Sequence, residues 1–277
     1  MSTQVIPRPS FSHRSSRWFS RNLIRIYAAL AFVYLFIPVA YTFAFSFNDS
    51  GKSNLVWKGF TLDNWKNPCG APQVCKSVAN SLQIGVISTV VATILGTMIA
   101  FAISRHSFKG RKTTNLLIFL PMATPEVVLG ASLLAMFLNL RINPGFWTIV
   151  IAHVMFCISF VVVTVKARVA SLDPRTLEAS GDLYASGFTT FRKVTVPLSM
   201  PGVVAGTLLT FIPAAGDYVN AALLGNPSTK MIGNVIESRF FAVVDYPTAA
   251  ALSFTLMATI LILVTLYIRK SGTDELV

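Results

Sequence analysis

Asp173-Pro-Arg-Thr-Leu-Glu-Ala-Ser-Gly-Asp-Leu-Tyr-Ala-Ser-Gly187, running on through Phe-Thr-Thr-Phe-Arg-Lys-Val-Thr-Val-Pro197, is a patterned polar island in an apolar chain. Asp173 is placed to cap a helix with Pro174 at its first position, and Gly187 supplies a stop about four turns later. On that helix Leu177, Ser180, Gly181 and Tyr184 fall at i, i+3, i+4 and i+7 and share a face. Small residues at the centre of the face would admit another backbone, while Leu177 and Tyr184 could anchor it. The spacing predicts a docking helix. An amphipathic helix packed on the ends of its own neighbours fits the same pattern.

Outward from this island the chain is apolar in runs of bilayer length. Six can be drawn, at about 24–47, 81–103, 115–138, 146–168, 200–224 and 247–268, each long enough to cross roughly 30 Å of hydrocarbon. The composition agrees. Of 277 residues 53% are hydrophobic and 12% charged, against about 25% charged in soluble domains. The expected fold is an all-α integral membrane protein with six transmembrane helices.

The net charge of +12 would suggest nucleic acid in a soluble protein. Here its distribution gives a different reading. With the N-terminus inside, 16 of the 23 Lys and Arg fall on inner segments, including Arg105, Lys109, Arg111, Lys112, Lys166 and Arg168. That asymmetry predicts both termini in the cytoplasm and no nucleic-acid partner. Residues 1–23 read as a disordered basic tail before an uncleaved signal anchor, 24–268 as one transmembrane domain, and 269–277 as a cytoplasmic tail.

Pro38, Pro121, Pro125 and Pro213 lie within the apolar runs, where proline breaks or kinks a helix unless neighbouring protein re-satisfies the freed carbonyls. Carboxylates at membrane depth are costly and mark a pathway or a buried hydrogen bond. Glu126 and Asp217 qualify. Thr124-Pro125-Glu126 also reads as the restart of a broken helix, with Glu126 complementing the positive helix end. Asp217, between Gly216 and Tyr218, interrupts the fifth run, and the Tyr218 ring is either cation–π surface or packing. His153 is a proton relay or a neutral histidine bonded within the bundle. Asp245 and Glu237 read as solvated loop charges that could help receive cargo.

The three histidines lack ligand spacing, so no metal site is expected. Cys69 and Cys75 share the first outer segment, where an oxidising compartment permits a small disulfide loop, and Cys157 reads as a small core residue. Gly51-Lys52-Ser53 has Ser46 where a phosphate loop requires glycine, so the chain is not expected to hydrolyse nucleotide, and with no paired catalytic carboxylates, activated nucleophile or cofactor fingerprint it is not expected to be an enzyme. An ion-coupled carrier working alone would use Glu126, Asp217 and His153 as coupling groups, but has no evident use for the island at 173–197.

The island resembles the "EAA" loop of ATP-binding-cassette importer permeases. Glu178, Ala179, Ala185, Phe191 and Pro197 match that pattern outright, and Ser180, Val194 and Val196 are conservative replacements. Tyr184 stands where the family has glycine. Asn143-Pro-Gly-Phe-Trp147, His153, Phe156-Cys157 and Phe160-Val-Val-Val-Thr164 are similar to the second permease subunit of spermidine/putrescine importers.

The resemblance implies a multi-pass protein of the bacterial inner membrane with an importer-type permease fold and a cytoplasmic coupling helix. Its implied partners are a second homologous permease, two cytoplasmic ATPase subunits that hold ATP and Mg, and an extracytoplasmic solute-binding protein. The implied ATPase-coupling residues are Glu178, Ala179, Ser180, Leu177, Tyr184, Ala185, Gly187 and Pro197. Asp217, Glu126 and Tyr218 are the expected pathway residues. A polyamine is the expected cargo, with ferric iron, thiamine and opines as alternatives.

Overall fold

The computed structural model describes residues 11–53, 55–66, 68–70 and 73–270. The order is α1 Phe11–Phe45, α2 Asp63–Lys66, α3 Val74–Arg105, α4 Arg111–Ala123, α5 Glu126–Asn139, α6 Phe146–Ala170, α7 Pro174–Asp182, α8 Gly187–Thr190, α9 Val196–Gly216, α10 Val219–Leu224, α11 Ile232–Ser238 and α12 Tyr246–Lys270. A π-type turn at Phe191–Thr195 fuses α8 to α9, so Gly187–Gly216 is one 30-residue helix. Helix α1 covers Phe11–Phe45 and so takes in part of the stretch expected as a tail. Residues 1–10 and 271–277, the remainder of the expected tails, lie outside the described residues.

Among the described residues five helices are long and apolar enough to cross a membrane singly: Asn22–Phe45, Val74–Arg105, Phe146–Ala170, Gly187–Gly216 and Tyr246–Lys270. The expected third span is instead two arms, α4 and α5, bent by 107°, and six crossings result only if that pair counts as one. The cause is Pro125, which excludes the helical region for the residue before it. Thr124 accordingly sits at φ −86°, ψ 132°, terminating α4. The fifth run is also displaced. It starts at Gly187 and stops at Gly216, where Asp217 turns extended at ψ 144° before α10 begins.

Helices α3, α6 and α9 pack together at the centre, with α6 the most buried of the candidate spans. Small residues set their approach. A Cβ on Gly96 of α3 would fall 2.7 Å from Val161 Cβ, and one on Gly206 of α9 would fall 2.6 Å from Thr164 Oγ1. Close backbone approach of this kind is how helices associate in lipid, where burial of apolar surface adds little. One apolar cluster, including Ile84, Leu133, Phe137 and Ile149, joins α3, α5, α6 and α10, and a second, Ala100, Val161, Val165 and Val169, fills the opposite half of the α3–α6 seam. By contrast, no residue of the most apolar stretch of α1 is buried within the chain.

Candidate functional site

Two helix breaks face each other. Glu126 opens α5 just after the α4–α5 bend, Asp217 lies between α9 and α10, and α5 packs on α10. The Asn220 Nδ2 donates to Glu126 Oε1 at 2.8 Å and bridges the two breaks. Asp217 is differently employed. Its Oδ1 accepts from the Val219 and Asn220 N–H groups at 3.0 and 3.4 Å, and its Oδ2 from Ala221 N–H at 3.2 Å. Those are the orphan donors at the start of α10, so the carboxylate satisfies a helix terminus that hydrocarbon would leave bare.

His153 of α6 closes the arrangement from behind. Its Nδ1 donates to the Ile149 carbonyl at 2.9 Å, within its own helix, and its Nε2 lies 3.4 Å from Asp217 Oδ2. At that separation Nε2 makes no hydrogen bond, and it stays a buried nitrogen beside the carboxylate. The two side chains are 4% and 6% exposed, whereas Glu126 is exposed. The structure therefore brings Glu126, Asp217 and His153 together but gives them different access. Asp217 is enclosed and saturated, while Glu126 keeps an open carboxylate. Tyr218 is half exposed beside them, and its carbonyl accepts from Asn234 Nδ2 at 2.9 Å.

At the island, Asp173 caps α7 as expected, its carboxylate accepting from Arg175 N–H at 2.9 Å with Pro174 at the first position. The helix does not run to Gly187. It ends at Asp182, and Tyr184 takes a left-handed φ of 55°. The Tyr184 N–H donates to the Gly181 carbonyl at 2.8 Å and the Ala185 N–H to the Ser180 carbonyl at 3.1 Å. This paired closure usually holds glycine at the position Tyr184 occupies. Ser186 then caps the next helix through Thr189 N–H, so Gly187 opens a helix instead of closing one.

The four residues expected on one face consequently part company. Leu177 lines an apolar cavity of about 900 Å³ with Met98, Phe101 and Phe191, and Ser180 turns inward to bond Thr190 Oγ1 at 2.9 Å. Gly181 stays exposed on α7, and Tyr184 projects 98% exposed beyond its end. The outward surface is made by Glu178, Ala179, Leu183, Tyr184 and Phe188. Ala185 is partly buried, and Pro197 lies exposed in the first turn of α9.

The profile described as "Binding-protein-dependent transport system inner membrane component" matches residues 92–270, which contain both helix breaks and the whole island. This chain belongs to that family. Among relatives of this inner-membrane component, it is 35% identical over 233 residues to the spermidine/putrescine transport system permease protein PotC of Escherichia coli K12, covering 84% of this chain and 88% of that one. It is 33% identical to the Haemophilus influenzae PotC, covering 91% and 94%, and 31% identical to the E. coli putrescine transport system permease protein PotI, covering 76% of each. Its fold matches a solved bacterial ABC transporter involved in import of alginate, with a TM-score of 0.72 at 15% identity over 94% of this chain and 99% of that one. The MetNI methionine transporter in an inward-facing form matches with a TM-score of 0.58 at 16% identity, over 72% and 92%. The inner-membrane permease reading of the sequence stands.

Two participants of the family member's sites escape motif reading. Asn220 carries the link to Glu126 and Thr190 holds Ser180, each through contacts set by tertiary structure. A three-residue step from Asp217 to Asn220 was the only local signal for the first. Away from the breaks, Asp245 pairs with Arg239 at 3.1 Å and Glu237 is exposed. The described structure joins Cys69 and Cys75 as a disulfide, with Cα atoms 5.1 Å apart. Cys157 is a buried free thiol, and no group of three or more metal-ligating side chains occurs among the described residues.

Proposed function

We propose that this chain is one permease subunit of an ATP-driven polyamine importer. It pairs with a second homologous permease above two ATPase subunits, which hold ATP and Mg, and receives cargo from an extracytoplasmic binding protein. Both termini lie in the cytoplasm, as the excess of Lys and Arg on the inner segments supports. The similarity to spermidine/putrescine and putrescine permeases over most of the chain supports the cargo.

The carrying observation is the shape of α7 and α8. They form a hydrogen-bonded knob at one end of α6 and α9, apolar at Leu183, Tyr184 and Phe188 where a cytoplasmic surface would be polar. Exposed apolar patches with a polar rim mark protein contacts. An ATPase gripping Glu178, Ala179 and Tyr184 would move α9 as a rigid body, because the Ser180–Thr190 hydrogen bond ties α7 to α8 and α8 runs into α9 without a break. At the far end of α9, Glu126 presents a carboxylate to an alkylammonium, Tyr218 offers its ring, and Asp217 holds the break in shape.

The test is Glu178→Arg in the assembled transporter. The variant should insert in wild-type amounts, fail to co-purify with the ATPase and lose polyamine uptake. Normal uptake would overturn the coupling role.

A further inference from the structure

A second cavity adjoins the apolar one at α7, sharing Arg105 and Leu177 with it. It has a volume of about 340 Å³ and is lined by Ser104 and Arg105 of α3, Arg111 of α4, Lys166, Val169 and Ala170 of α6, and Leu172, Pro174 and Leu177 around the start of α7. Three of these nine residues are cationic, and none is acidic.

Among the described residues the ion pairs are Lys66–Asp63, His153–Asp217 and Arg239–Asp245, so no carboxylate neutralises Arg105, Arg111 or Lys166. Lys166 Nζ donates to Asn115 Oδ1 at 2.8 Å, which fixes its ammonium but leaves the charge. The nearest carboxylate in sequence, Asp173, is engaged on Arg175 N–H.

A recess lined by three cations and no carboxylate is complementary to a tetrahedral anion. Its walls at Val169, Ala170 and Leu172 suit a ligand that is polar at one end and greasy at the other. Basic recesses between membrane helices near the cytoplasmic surface hold anionic headgroups. Guanidinium groups pair bidentately with phosphate oxygens, which makes Arg105 and Arg111 the expected principal ligands.

We infer that this recess is a binding site for a phosphate group, the headgroup phosphodiester of an anionic lipid or a free phosphate. Because Pro174 and Leu177 of α7 form part of its wall, an occupant would brace the knob against α3 and α6. The placement beside the cytoplasmic surface rests on the proposed orientation, but binding itself requires neither cargo nor ATPase activity, so the two readings fail separately.

The experiment uses the complete assembly, delipidated in neutral detergent, and follows the apparent Tm by intrinsic fluorescence. The probes are dioleoyl phosphatidylglycerol, dioleoyl phosphatidylcholine and inorganic phosphate. Phosphatidylglycerol should raise the wild-type Tm by about 5 °C, as expected when a ligand binds only the folded state, and phosphatidylcholine should not. The double substitution R105Q/R111Q should remove at least half of that shift, about the share expected of the two principal ligands. Exposed Lys112, outside the recess, provides the control K112Q, which should keep it. Inorganic phosphate reproducing the shift in the wild type alone would assign the recess to free phosphate, and no response to it would assign the lipid. Should the double variant not assemble, A170F fills the recess while keeping every charge, and should likewise lose the response. Equal phosphatidylglycerol shifts in wild type and in either variant, or no shift with either anion, would overturn the site and leave cations that merely reach for the interface.

Discussion

Tyr184 holds a left-handed backbone with a full side chain, at a helix end where glycine costs nothing. For an ordinary residue that conformation is worth about 1–2 kcal/mol against folding. Its retention in an almost fully exposed aromatic ring fits a contact made outside the chain. Tyr184→Gly should therefore raise thermal stability, by about 1 kcal/mol, while lowering ATP-driven uptake several-fold. Uptake at the wild-type level would show that the ring touches nothing in the working assembly. The two carboxylates at the breaks should separate as cleanly. Glu126→Gln should cut polyamine uptake about tenfold or more, the effect of losing ~1.4 kcal/mol of binding, with normal amounts in the membrane. Asp217→Asn turns one of two accepting oxygens into a donor and leaves an N–H at the start of α10 unpaired, at about 1–3 kcal/mol. It should reduce the amount of folded protein and leave uptake per molecule within roughly twofold, since the cap costs folding and not the pathway. Labelled putrescine uptake normalised to the quantity of chain distinguishes them, and equal losses would place Asp217 in the pathway with Glu126.

The elements show what was readable in the sequence and what was not. Runs of apolar residues located the long helices, and Thr124-Pro125-Glu126 announced the α4–α5 break. The angle of that break was not legible, because proline dictates where a helix stops and neighbouring helices dictate where the next one points. Periodicity likewise puts Tyr184 on the face of Leu177 and Ser180, an extrapolation that fails because the helix ends at Asp182 and Tyr184 is itself left-handed. The contact between Asn220 and Glu126 joins residues 94 positions apart, beyond any local pattern. Packing of α9 on α6 gives a test at this scale. Gly206→Leu would drive its side chain into Thr164 and Val161 and should cost about 1–3 kcal/mol, seen as lost folded yield. Gly216→Leu, with nothing within 4 Å of its added Cβ, should be tolerated.

As a whole molecule the chain is unfinished on its own surface. Helix α1 leans on α12 and presents Ile24, Tyr27 and Leu30 outward, which leaves that face to lipid or another subunit. Purified alone and reconstituted with a pH or sodium gradient, the chain should not concentrate polyamine; the assembly with ATP should. Uphill transport by the isolated chain would sink the importer reading. The Cys69–Cys75 loop, with a sequence separation of only 6, should matter locally. Replacing both with serine should shift the Tm by no more than a few degrees, the effect of a short loop of about 2 kcal/mol. Both thiols reacting freely on intact cells would argue against the bond.

The facing breaks have one more effect. Helices α4 and α9 each finish there, at Ala123 and Gly216, and a helix finishes with unpaired carbonyls and a partial negative charge of about one half. The opposite, positive ends of α5 and α10 are met by Glu126 and Asp217. What remains uncancelled is electron-rich main chain, a standing field that welcomes a polycation and repels phosphate or sulfate without enlisting further ionised side chains.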